Sequence, residues 1–159
     1  METIPYDKRS GKIWFNGRNV DWSEAKVHLL SHGLHYASSV FEGVRVYDGE
    51  VFKLEEHTDR LFYSAKRMGM DVPYSTDEVN KATREIVSIQ KTQNGYIRPV
   101  IWRGSEMMAI SAQKNKINVA IATWEWGSYF DPKLKIEGIK LNVSSWRRPS
   151  PDSIPWDTK

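Results

Sequence analysis

The spacing of apolar residues changes repeatedly along the chain, and each change marks a predicted element. In "KIWFNGRNVDW", Ile13, Trp14 and Phe15 face Val20 and Trp22 across Asn16-Gly17. That dipeptide suits a two-residue type I′ turn, whose central positions both need positive φ. "VRVYDGEVFKL" repeats the arrangement, with Asp48-Gly49 between strands near 44–47 and 50–54. The period then lengthens: Leu61, Ala65 and Met68 recur at helical spacing and predict a helix over 56–69. "STDE" opens a second helix, because Ser75 and Glu78 fit a capping box. Val79, Ala82, Ile86 and Ile89 are expected to form its buried face. "YIRPVIW" and "INVAIAT" read as strands, although Pro99 lacks the donor of a central strand and points to an edge strand or a bulge. Between them, "SEMMAISAQKNK" has no periodic face and reads as a loop, and "IKLNVSSW" is a further strand-like run.

Two hairpins, two helices and further strands predict an α+β domain over 1–123. Residues 124–138 read as a connection, and 139–159 as the start of a second, larger domain left incomplete. Pro151 and Pro155 exclude helix near the C-terminus. Residues before proline favour extended backbone, so a stiff extended loop is expected to lead to Lys159.

Composition narrows the class. Hydrophobic residues make up 40% and charged residues 27%, as in ordinary globular chains. No run approaches the ~18 apolar residues of a membrane span, and "METIPYDKRSGK" lacks the apolar centre of a signal peptide. With no cysteine, disulfides and thiolate metal sites are excluded. A soluble cytoplasmic protein is the expectation. The net charge of +3 raises nucleic-acid binding. The basic residues, however, fall in short groups separated by acids, with no nucleic-acid motif. They are expected to form solvated surface, leaving room for small-anion sites built on one or two arginines.

Several residues could carry chemistry. His28, His32 and His35 stand at i, i+4 and i+7, which on one helix would give a metal-binding face. Gly33 interrupts that helix and no acid is placed to orient a ring, so structural histidines and no metal are expected. Arg60 lies on the polar side of its helix, either solvated or gripping a phosphate or carboxylate bidentately. Tyr96 and Arg98 share one strand face, with Ile97 turned to the core. They form either a carboxylate receptor or an exposed face. Lys159 could form a Schiff base where burial or neighbouring cations lower its pKa. Arg147 and Arg148 are near it in sequence, but spacing alone does not bring them to it.

Taken in order, "HYASSVFEGVRVYDG", "HTDRLFYSAKRM", "GYIRPVIWRG" and "SSWRRPSPDSIPWDTK" resemble the branched-chain-amino-acid aminotransferases. These are class IV pyridoxal-phosphate enzymes of fold type IV. The resemblance covers about 12–159, and "FEG-x-R-x-Y" with "YIRP" is characteristic of the branched-chain group. It implies the small N-terminal α+β domain of that fold plus the first strand of the larger one. It implies that Lys159 carries pyridoxal 5'-phosphate as a Schiff base and shuttles the proton, and that Arg60 grips the cofactor phosphate. Tyr36, Phe41, Tyr96, Arg98 and Tyr129 match residues of the substrate pocket, Arg98 and Tyr36 helping to receive the side-chain carboxylate of glutamate.

The implied reaction moves an amino group reversibly between Leu, Ile or Val and 2-oxoglutarate. An apolar pocket with a switchable polar rim suits both kinds of side chain. Tyr36 and the loop around 107–110 are implied to reach the partner's site, so a homodimer is the minimum unit, with a hexamer open. The loop's methionines would serve as adaptable apolar surface. Family members continue past their lysine into groups that hold the pyridine nitrogen and most of the phosphate. The chain is therefore expected to be part of a longer polypeptide, and to be inactive if it truly ends at Lys159. Trp156-Asp157-Thr158 stands where small residues are common in the family. D-amino-acid aminotransferase and aminodeoxychorismate lyase are the rival enzymes, and a non-catalytic basic binding module is the rival outside the class.

Overall fold

Asn16 and Gly17 take φ of 48° and 88° and fold β1 (Lys12–Phe15) back on β2 (Arg18–Asp21). This is the predicted turn, seen in a computed structural model that describes residues 4–127 and 132–159. A short helix α1 (His32–Tyr36) leads into β3 (Ser39–Phe41) and β4 (Val44–Tyr47). Asp48 and Gly49, also at positive φ, close β4 on β5. That strand is only Glu50–Val51, shorter than predicted, because Leu54 already begins α2 (Leu54–Arg67). α3 (Thr76–Gln90) starts on the predicted capping box, with the Ser75 side chain on the Glu78 N–H and the Glu78 side chain on the Ser75 N–H.

The long strands β6 (Gly95–Arg103) and β7 (Ile117–Glu125) form the middle of the sheet. Its order is β2-β1-β7-β6-β4-β5, with β3 also on β6 and every pair antiparallel. Both longer helices cover one face. Leu61, Ala65, Val79, Ala82 and Ile86 pack there against Ile97, Ile101, Val119 and Ile121. Ile89 leaves this face and is exposed, its expected place taken by Thr83 and Val87. A helical stripe at 79, 82 and 86 drifts toward 83 and 87 because 3.6 residues, not 3.5, make a turn. The opposite sheet face carries Ile13, Phe15, Val100, Trp102, Ala120 and Ala122. They line an open apolar groove of about 330 Å³ together with Val27, Leu34 and Arg98.

Three sequence expectations are corrected. β6 is central rather than an edge strand, and Pro99 sits in it. In a strand, a residue's N–H and C=O point to the same neighbour, and the Pro99 carbonyl accepts from the Glu42 N–H at 3.0 Å. The missing donor therefore falls at the gap between β3 and β4, while pairing to β7 continues through Pro99 opposite Ile121. "IKLNVSSW" forms no strand: after α4 (Pro132–Glu137), residues 138–150 run irregularly and exposed. Strand-prone residues need a neighbour to accept their backbone bonds. The approach to Lys159 is turned rather than extended. Ser153 N–H donates to Ser150 O across Pro151, and Thr158 N–H to Pro155 O. A proline fixed near −65° suits the second position of a β-turn as well as extended chain.

Candidate active site

The gap that Pro99 opens in the ladder shapes the site. β3 and β4 pair β6 in one continuous register, Phe41 opposite Val100 and Val44 opposite Ile97. Alternation then sends Val40, Val44 and Val46 toward the helices, and Glu42 falls in that inward series. It is 0% exposed. A carboxylate there is tolerable only if paired and hydrogen-bonded, and α2 supplies the partners. Arg60 donates Nε to Oε1 at 2.5 Å and Nη2 to Oε2 at 2.8 Å, a bidentate pair. His57 Nδ1 lies 3.0 Å from Oε2, and Lys159 Nζ 3.3 Å from the same oxygen. Burial by itself pushes the Glu42 carboxyl up. The hydrogen bonds from Arg60 and His57, with the charges of Lys159 and Arg60, outweigh burial and hold its pKa at about 2.

Lys159 is held by its backbone as well. Its N–H donates to Ser64 Oγ at 3.2 Å, and its carbonyl accepts the Phe41 N–H at 3.0 Å on the free edge of β3. Two residues earlier, Asp157 accepts the Tyr63 hydroxyl at 2.5 Å and lies 3.4 Å from Arg67 Nε. The Tyr63 bond holds the Asp157 carboxyl below its ordinary range. Arg147 and Arg148 are exposed, and the group beside Lys159 is a carboxylate rather than a cation.

Phe41 joins this cluster to a second one. Its ring lies under the Arg98 guanidinium, 4.4 Å from the centroid, and Arg98 also lies over Tyr96 at 5.4 Å. As predicted, Tyr96 and Arg98 share a face while Ile97 is buried in the core. Gly43 leaves room for this ring, since a Cβ would come 1.8 Å from the Tyr96 hydroxyl and displace it. Arg98 Nε is buried with no hydrogen-bond partner among the described residues. Such an unused donor beside an apolar groove is the chemistry of an anion receptor.

The structure thus brings Arg60, Lys159, Phe41, Tyr96 and Arg98 into one region. Tyr36 stands half exposed at the end of α1, stacked on His32. Tyr129 lies outside the described residues. The three histidines each have partners of their own. His28 Nδ1 accepts the Leu30 N–H, His35 Nε2 meets Leu29 O, and His32 is buried between Ser38 and Ala109 O. Gly33 does not interrupt α1 but lies within it, where a Cβ would press on Trp102 Cβ at 3.2 Å.

Glu42, His57, Ser64 and Tyr63 were not singled out from the sequence, and Asp157 only as one of three residues standing where small ones are common in the family. For Glu42 a signal existed, since it is the one charged residue in the inward series Val40, Glu42, Val44, Val46. The others act through contacts between segments distant in sequence.

The profile of the family described as "Amino-transferase class IV" matches residues 39–159. The chain belongs to the class IV aminotransferases. It is 46% identical over 144 residues to a branched-chain-amino-acid aminotransferase of Pseudomonas aeruginosa, covering 88% of this chain and 47% of the relative. It is 41% identical over 157 residues to the one from Escherichia coli, covering 96% and 51%. Among solved structures, a branched-chain aminotransferase of Thermoproteus uzoniensis with norvaline superposes with a TM-score of 0.84 at 40% identity, over 92% of this chain and 50% of that one. A branched-chain amino acid aminotransferase from T.th., solved with pyridoxamine 5'-phosphate, gives a TM-score of 0.87. That likeness has 38% identity and covers 92% and 50%. This class IV chain therefore spans about half the length of the curated relatives it matches. Among its described residues, no helix is long and apolar enough to cross a membrane.

Proposed function

We propose that residues 1–159 form the lysine-bearing half of a branched-chain-amino-acid aminotransferase. It would exchange the amino group of Leu, Ile or Val with 2-oxoglutarate, using pyridoxal 5'-phosphate. One observation carries this reading: buried Glu42 ties a guanidinium and a primary amine to a single carboxylate. The donor set fits the cofactor. The Arg60 side chain is 50% exposed although Glu42 holds Nε and Nη2, so it can grip a phosphate from its open side. Lys159, with its side chain 43% exposed, offers an amine to an aldehyde.

Pyridoxal phosphate, when bound, supplies the electron sink for charge developing at the substrate Cα. This chain's residues do the rest. Lys159 Nζ would carry the proton between the substrate Cα and the C4′ carbon of the cofactor, a task for a positioned base. Its backbone bonds to Ser64 and Phe41 fix where that amine starts from. Glu42 keeps Arg60 aligned. Arg98 offers the donor that receives a substrate carboxylate, while Phe41, Tyr96 and the partner's Tyr36 and 107–110 loop shape the pocket, together with Tyr129. A homodimer is the minimum assembly, supported by exposed Leu29, Leu34, Tyr36 and Ile110. The division at 1–123, 124–138 and 139–159, and a cytoplasmic location, belong to the same reading. The remaining cofactor contacts would come from sequence corresponding to the other half of the relatives.

Transamination of L-leucine, L-isoleucine and L-valine with 2-oxoglutarate by the intact polypeptide containing these residues tests the proposal. Turnover of D-alanine without L-leucine would move it to the D-amino-acid enzymes. Adding pyridoxal phosphate should produce a visible absorption band that Lys159→Ala abolishes. No band in the intact protein would favour the binding module instead.

A further inference from the structure

His32 is the most enclosed of the four histidines, 3% exposed, and the chemistry above makes no use of it. It lies at the start of α1 yet touches the 104–116 loop at both root and tip. Its backbone N–H donates to Gly104 O at 2.8 Å, where the loop leaves β6. Its ring Nε2 lies 2.9 Å from Ala109 O, between Met108 and Ile110. A carbonyl oxygen only accepts, so Nε2 carries the hydrogen, and Ser38 Oγ at 2.6 Å serves Nδ1. The same ring stacks on Tyr36, centroids 4.4 Å apart and planes 26° apart.

We propose that His32 is a positioning residue, setting the tip of the 104–116 loop and the plane of the Tyr36 ring in register with each other. The neighbouring bonds leave this task to it. Asn115 Nδ2 holds Gly104 O and Met107 O, and Arg103 Nη1 holds Ala112 O. Those bonds fix the two arms of the loop, and the His32 ring bonds the carbonyl between its two most apolar tip residues. Met108 and Ile110 can then stay exposed, Ile110 almost wholly, without the tip collapsing onto the sheet. A free tip would bury that apolar surface at the first opportunity. A buried ring bonded on both nitrogens keeps it presented, because leaving either nitrogen unpaired would be costly. The consequence for catalysis rests on the proposed aminotransferase, in which Tyr36 and this loop serve the partner subunit's pocket.

Two substitutions separate the ring's two duties. His32→Phe keeps a stacked ring and loses both side-chain hydrogen bonds. His32→Gln keeps an N–H donor toward Ala109 O and loses the stack. In the 159-residue chain, backbone ¹⁵N order parameters at 107–111 should fall from the rigid range near ~0.85 toward ~0.6 in His32→Phe and recover in His32→Gln. The Tyr36 ring proton shifts should move in His32→Gln and stay close to the parent in His32→Phe. Ser38→Ala, which leaves the ring in place, should loosen the same residues less. Unchanged order parameters in His32→Phe, or equal loosening in both His32 variants, would overturn the proposal. In the intact polypeptide, His32→Phe should raise KM for the 2-oxo acid about tenfold, with kcat within about twofold, and His32→Gln, which keeps the loop bond but frees Tyr36, should recover only part of that loss. A loosened loop with unchanged KM would leave the positioning role standing and refute the placement of the loop at the partner's pocket.

Discussion

Residues 12–125 and 138–159 both contain strand-like runs of β-branched and aromatic residues, and they end up in opposite environments. In the first region Ile97, Ile101, Val119 and Ile121 have no measurable exposure. In the second, Val143 is 94% and Trp146 90% exposed. The residue types hardly differ; the neighbours do. β6 has β7 along one side and β3 and β4 along the other, with two helices over it. Residues 138–150 have no strand to accept their backbone bonds. Strand propensity expresses fit to a paired, half-buried surface, and without that surface it produces nothing. Even so, the exposed stretch ends in an ordered anchor, where Asp157 and Lys159 meet α2, β3 and the buried Glu42.

The largest effect should come from the closed region. Ile101→Ala removes buried atoms under both helices and should cost about 2–5 kcal/mol, lowering the urea midpoint of the whole 12–125 unit. Loss of structure confined to β6 alone would break the picture of one cooperative domain. Glu42→Gln tests the join between the two regions. Arg60 and Lys159 are each about half exposed, so solvent screening limits the loss to roughly 1–3 kcal/mol at neutral pH. The pH dependence has a definite sign. The folded pKa of about 2 lies below the ordinary 4.5, so the stabilisation is complete above about 4.5 and drains away as pH falls toward 2. Urea midpoints at pH 7 and pH 3 should therefore differ less in Glu42→Gln than in the parent. An equal acid loss in both would refute Glu42 as its source.

A smaller change is expected from Asp157→Asn, which weakens the bonds from Tyr63 and Arg67. Global stability should hold, while amide exchange of Lys159 N–H and Phe41 N–H accelerates; unaltered exchange would mean that Ser64 and β3 anchor the segment unaided. The smallest effect belongs to the exposed run. Val143→Ser and Trp146→Ser should leave the chain's midpoint within about 0.5 kcal/mol. A clear loss there would show that residues 138–150 pack on something in this chain.

Local chemistry made much of the domain legible. Asn16-Gly17 and Asp48-Gly49 had to turn, Ser75 with Glu78 had to start a helix, and alternation put Tyr96 and Arg98 opposite Ile97. Pro99 was misread because its missing N–H matters only on one side, and which strand lies there is a matter of topology. Gly33 was misread because its reason is the Trp102 side chain pressed against it from β6. The family, and with it the roles implied for Arg60 and Lys159, was carried by short motifs in order along the chain.

By itself, then, the sequence determined the turns, the capped helix, the faces of β6 and the class of enzyme to which the chain belongs. These depend on neighbours a few residues apart, or on motifs that keep their order. Only the tertiary structure decided that Glu42 is the buried centre binding Arg60, His57 and Lys159, and that His32 ties α1 to a loop far along the chain. The physical reason is burial. A carboxylate or an imidazole acquires its partners only after the sheet and helices have excluded water around it, and no local pattern records which distant groups will then be within reach.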